Sequence, residues 1–116
     1  MPEIRLLEKA LSREELQTIA NERFGDMVKA VVDIDRGLVA LGAELHADIE
    51  AFFLDHGSKQ QSLWGINLYP GVDFPDMVEF NSMINIRPSQ NNRSRNVEDV
   101  GTQKRILEVV NKFITQ

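Results

Sequence analysis

The sequence predicts an α+β fold, a mainly antiparallel sheet of four or five strands with three helices on one face, in the order β-α-β-β-α-β-β-α. Three observations carry this. Apolar residues recur at helical spacing in three separate stretches, they alternate with period two in others, and glycine or proline stands at most of the boundaries. A surface helix needs one apolar stripe and a half-buried strand one apolar side, so the two periods tell the elements apart.

Ile4-Arg5-Leu6-Leu7 reads as a short edge strand. Ser12-Arg13-Glu14-Glu15 is a capping box, in which the Ser12 hydroxyl accepts from the third helical N–H and Glu15 reaches back. Leu16, Ile19, Ala20 and Phe24 follow at helical spacing, and Gly25 suits the stop. From Met27 to Ile34 the pattern changes: Val28, Ala30, Val32 and Ile34 alternate with other residues, as in a strand. Asp35-Arg36-Gly37 fits a tight turn, and Leu38 to Leu45 forms the return strand.

Helical spacing resumes at Leu45, Ile49, Phe52 and Phe53, with Gly57 placed as a C-cap glycine. Leu63 to Tyr69 is the next strand, with Trp64, Ile66 and Leu68 on its apolar side. Trp64 is read as core, and Gly65 in mid-strand as a bulge or a close backbone approach. Pro70 to Asp76 is a loop, and Met77 to Arg87 a further strand ended by Pro88. After the polar loop Ser89 to Asn96, Asn96 is the expected N-cap of a last helix whose stripe is Ile106, Leu107, Val110, Phe113 and Ile114. By period two, the sheet face away from the helices collects Glu44, Asn67, Glu79, Asn81, Asn85 and Arg87.

A chain of 116 residues, 42% hydrophobic and 27% charged, has the size and balance of one globular domain spanning residues 1–116. It contains no cysteine, which excludes a disulfide framework, thiolate metal sites and a cysteine nucleophile. No window approaches 18 consecutive apolar residues, and Met1-Pro2-Glu3-Ile4-Arg5 lacks a basic stretch leading into an apolar run, so a cytoplasmic protein is expected. A formal net charge of −5 argues against general binding to DNA or to an anionic membrane, since both rest on surplus Lys and Arg.

Two polar clusters exceed what a scaffold needs. In Glu44-Leu45-His46-Ala47-Asp48, residues spaced two apart on an extended chain point one way, while a helix that already starts there makes His46 and Glu50 the i, i+4 pair. Either way an imidazole and one or two carboxylates can converge. Acid–base work by His46 with Glu44 or Asp48 is one reading. A divalent metal is possible and less favoured, and the plainest alternative is that Asp48 caps the helix while Glu44 and His46 end a strand. His56, in the last turn of the same helix, suits the negative helix end. The second cluster runs from Asn85 to Asn96 and contains Arg87, Asn92, Arg93 and Arg95, just before a helix start. Arginine forks and free helical N–H groups suit a carboxylate or phosphate, whereas RNA would call for stacking aromatics that the loop lacks. The competing reading is a structural loop whose arginines pair with acidic side chains.

Several segments taken together, Val28-Lys29-Ala30-Val31-Val32-Asp33, Glu44-Leu45-His46-Ala47-Asp48, Leu63-Trp64-Gly65-Ile66-Asn67, Asn85-Ile86-Arg87-Pro88 and Asn92-Arg93-Ser94, are familiar. With them the chain resembles, over nearly its whole length, a family of short prokaryotic proteins classed as a domain of unknown function. The resemblance implies neither a substrate nor catalytic residues. From the residues themselves, the leading expectation is a small-molecule binding domain. Arg87, Asn92, Arg93 and Arg95 would take an anionic ligand beside Asn67, Asn81 and Asn85, and His46 could lend hydrolase or isomerase chemistry. The rival is a structural protein whose polar sheet face forms a homodimer.

Overall fold

The computed structural model describes residues 4–115, so residues 1–3, on which the reading of the chain's start partly rests, lie outside it. Its elements are β1 (Arg5–Leu6), β2 (Leu11–Ser12), α1 (Arg13–Asn21), β3 (Val28–Asp33), β4 (Leu38–Leu41), α2 (His46–Asp55), β5 (Leu63–Leu68), β6 (Val78–Glu79), α3 (Val100–Phe113) and β7 (Ile114–Thr115). Five strands make one antiparallel sheet in the order β1-β4-β3-β5-β6. A separate parallel pair joins β2 to β7. The α+β class, the antiparallel five-stranded sheet and the three helices are those the sequence predicts.

Local chemistry explains the boundaries. Both halves of the capping box form, with Ser12 Oγ accepting from Glu15 N–H and Glu15 Oε1 from Ser12 N–H. The turn between β3 and β4 closes through Gly37 N–H to Asp33 O, with Gly37 at φ +65°. In that left-handed region glycine carries no Cβ penalty.

The placement of the helices departs from the one-face expectation. Val28, Ala30, Val32, Val39, Leu41, Trp64, Ile66 and Leu68 point to one side of the sheet, where Leu16 and Ala20 of α1 and Ile106, Val109, Val110 and Phe113 of α3 cover them. On the other side, Val31, Ala40 and Leu63 pack against Ile49 and Phe53 of α2. The sheet is therefore buried on both faces over much of its area. Alternation assigns each residue to a side, but both sides of β4 are apolar, with Val39 and Leu41 on one and Leu38 and Ala40 on the other, and Val31 adds an apolar residue to the second side of β3.

Three further segments differ from expectation. The stretch Met77 to Arg87 enters the ladder only at Val78–Glu79. Beyond that it turns away through one-turn 3-10 helices at Met83–Asn85 and Pro88–Gln90. Gly65 makes room for this path: a Cβ there would lie 2.5 Å from Ser82 Cβ, so the segment presses onto the bare backbone of β5. The last helix is capped by Asp99, whose carboxylate accepts from the N–H and hydroxyl of Thr102, and Asn96 precedes it. Ile114, assigned by its spacing to the helical stripe, instead pairs with Leu11 in the small parallel ladder.

Candidate functional site

The antiparallel register sets Lys29 of β3 opposite Asn67 of β5, and Asn67 opposite Glu79 of β6. A cation, an amide and a carboxylate thus form one row across three strands, on the face that α2 covers only in part. The N-terminus of α2 stands over this row with Leu45, His46 and Ala47, and the segment Asn81–Ile84 with Arg95 closes the other side. Together they enclose a cleft of about 470 Å³, within the range of small-molecule sites.

His46 is 8% exposed, and its Nε2–H donates to Ile66 O at 2.8 Å. A carbonyl can only accept, so in the neutral ring Nδ1 keeps the lone pair. Burial pushes the imidazole below its ordinary pKa. The Ile66 carbonyl and the Asn67 amide oppose that shift, and the charges of Lys29 and Arg95 add to it. The row itself is hydrogen-bonded: Asn67 Nδ2 donates to Glu79 Oε1 at 2.8 Å and to Asn81 O at 3.2 Å, and Tyr69 Oη donates to Glu79 Oε1 at 3.1 Å. Burial, then Glu79, raises the Tyr69 phenol. Asn67 is 6% exposed, yet its Oδ1 has no hydrogen-bond partner. A buried acceptor left unpaired costs roughly 1–3 kcal/mol.

At the head of α2 the N-cap is Leu45, which provides no side-chain hydrogen bond to the first N–H groups. Lys29 adds its charge from above the ring of Phe24, with Nζ 5.3 Å from the centroid. Arg95 uses its carbonyl to hold Ser82 N–H and Asn85 Nδ2, while its guanidinium has no partner among the described residues.

The residues singled out in the sequence fall into two groups. His46, Asn67, Asn81 and Arg95 line the cleft together. Asn85, Arg87 and Asn92 instead turn inward along the sheet edge. Asn85 Oδ1 accepts from Gly65 N–H and its Nδ2 donates to Gly65 O, an amide standing in for a neighbouring strand. Arg87 donates to Gln60 O and Leu63 O, with its guanidinium 4.2 Å from the Trp64 ring centre. Asn92 Nδ2 donates to the carbonyls of Asn85, Ser94 and Asn96, and its Oδ1 accepts from Glu98 N–H. The expected polar sheet face is thus in part a buried scaffold.

Arg93 lies outside the cleft lining. Its N–H donates to Glu98 Oε2, a carboxylate held below its ordinary pKa by the Ser94 hydroxyl first and by Arg93 N–H next. Glu44 is drawn to Arg23 at 3.4 Å, and Asp48 sits in the first turn of α2 with its N–H on Leu45 O. No hydrogen bond joins the imidazole to either carboxylate among the described residues, and no group of three or more His, Asp or Glu there is arranged to hold a metal ion. His56 occupies the C-cap of α2, its Nδ1–H on Phe52 O and its ring stacked on Phe52.

Lys29, Tyr69 and Glu79 were not named as site residues. The alternation that set Asn67 and Glu79 apart from the apolar side also sets Lys29 apart within Val28–Asp33, so the signal for that residue was present. A second concavity, of about 340 Å³ beside Ile4, Arg5 and Leu41, has its Arg23 already committed to Gly42 O and Glu44.

The fold and the cleft define a small α+β domain whose sheet is covered on one face and in part on the other, with a mixed-charge pocket at a helix N-terminus. The chain belongs to the family described as Protein of unknown function (DUF5674), whose model matches residues 5–113. Searches of curated proteins and of solved structures give no match. Among the described residues, no helix is long and apolar enough to cross a membrane.

Proposed function

We propose that this chain is a small-molecule binding domain whose cleft takes an anionic ligand at the head of α2. One observation carries the reading: an uncapped helix N-terminus, the Lys29 cation and an unpaired Arg95 guanidinium border the same cavity, in a chain whose formal net charge is −5. Helical N–H groups without a capping side chain are donors in want of an acceptor, and the helix dipole favours negative charge there. His46 contributes shape and a lone pair at Nδ1. An acid–base role for it would have to operate without Glu44 or Asp48 as a hydrogen-bonded partner.

The test is a titration of the protein with 3-phenylpropionate, followed through backbone amide shifts. Saturable shifts are expected at His46, Ala47 and Asn67, with affinity about tenfold weaker in Arg95→Gln, which keeps the carbonyl that Ser82 and Asn85 use. Absence of those shifts, or identical affinity in Arg95→Gln, would refute the reading. The homodimer alternative is supported by Leu45 and Met83, 57% and 66% exposed at the cleft mouth. Sedimentation showing a dimer that dissociates on Met83→Asp would favour it.

A further inference from the structure

Resting on the reading just given, we infer that the ligand is a zwitterion of the amino-acid class, its carboxylate at the head of α2 and its ammonium at the Glu79 end of the row. The argument begins with the sign of the charges. A simple anion would use Lys29, Arg95 and the helix N–H groups, but it would also meet the carboxylate of Glu79 in the same cleft. Like charges in a partly desolvated site repel. Glu79 is not neutralised by its neighbours, because Asn67 Nδ2 and Tyr69 Oη, its hydrogen-bond donors, are both uncharged and both fall on Oε1.

Acceptors tell the same story. Asn67 Oδ1, at the middle of the row, is buried and unpaired. An ionised carboxylate has no proton to donate to it; an ammonium group, with three donors, can serve Glu79 Oε2 and bring a donor towards Asn67. The row therefore runs from a cation at Lys29 to a carboxylate at Glu79 with an acceptor between, and a ligand of opposite polarity, carboxylate towards Lys29 and ammonium towards Glu79, complements it. Apolar side chains complete the match. Met27, Leu45 and Met83 border the cleft, and unbranched methionines adapt to a range of apolar bodies.

Three probes share one body and differ in their heads: L-phenylalanine, 3-phenylpropionate without the amine, and phenethylamine without the carboxylate. Affinities are read from amide shifts at Lys29, His46, Asn67 and Glu79. L-Phenylalanine is expected to bind about tenfold tighter than either single-headed probe. Glu79→Gln, at an exposed position, should remove its advantage over 3-phenylpropionate while leaving 3-phenylpropionate as tight or tighter. Equal binding of L-phenylalanine and 3-phenylpropionate to the native protein would overturn the zwitterion and leave the anion reading intact. Equal binding of L-phenylalanine and phenethylamine would overturn both, as would failure of all three probes. An advantage that survives Glu79→Gln would overturn the assignment of the ammonium to this row.

Discussion

His46 is the first residue of a helix, where its ring reaches Ile66 O. Burial is the largest influence on its proton affinity and disfavours the imidazolium; Lys29 and Arg95 act in the same direction. Glu79 and Tyr69 are the other titratable groups lining the cleft. Because the folded-state pKa lies below the ordinary value of 6.5, the unfolded chain takes up the proton more readily. The neutral ring's contribution is complete above that value and is lost as pH falls towards the folded pKa. Urea unfolding of the native protein and of His46→Gln, from about pH 7.5 to about pH 5, should show the native protein losing stability relative to the variant. Glutamine keeps a donor for Ile66 O and cannot titrate. A difference that stays flat over that interval would show that His46 does not control acid sensitivity.

Between elements, the decisive contact is the close approach of Ser82 to Gly65, made where Met77–Arg87 leaves the ladder. Gly65 leaves β5 bare, Ser82 settles on it, and the Asn85 amide then completes the Gly65 backbone hydrogen bonds. Gly65→Ala should cost about 1–3 kcal/mol, since its Cβ would overlap both Cβ and Oγ of Ser82. Ser82→Gly in the same chain should recover part of that loss, a coupling that denaturant unfolding of the double-mutant cycle measures. Strictly additive effects would mean that the close approach is not what positions the segment. The same contact marks the limit of sequence reading. The capping box at Ser12, the Gly37 turn and the alternation through Val28–Asp33 involve neighbours in the chain, and all were legible. Alternation also persists through Val78, Phe80, Ser82, Ile84 and Ile86, but the segment leaves the ladder after Glu79 and settles on Gly65, distant in sequence. Arg87 and Asn92 looked like ligand contacts for the same reason, since the carbonyls they serve are fixed only when residues 60–65 and 94–96 are folded against them. The cleft was legible in pieces, His46, Asn67, Asn81 and Arg95, and the row through Lys29 and Glu79 needed the strand order to join them.

Over the whole molecule, stability and binding are divided between the two faces of the sheet. The larger core lies beneath α1 and α3, and it is closed where β7 returns to β2: Leu11 and Ile114 are both buried there, and Thr115 Oγ1 donates to Leu11 O across 104 positions of chain. Ordering so distant a pair costs loop-closure entropy, which the burial of Ile114 must offset. The cleft is on the opposite face and shares no lining residue with that closure. Ile114→Ala should therefore destabilise the protein by roughly 2–4 kcal/mol, the usual loss for a fully buried isoleucine. Affinity for 3-phenylpropionate, measured where the variant is still folded, should stay at the native value. Thr115→Ala, at an exposed position with one hydroxyl bond to lose, should cost no more than about 1 kcal/mol. If Ile114→Ala weakened binding in the folded protein, the two faces would be mechanically coupled through the sheet, and the cleft would have to be treated as depending on how the chain's far ends are joined.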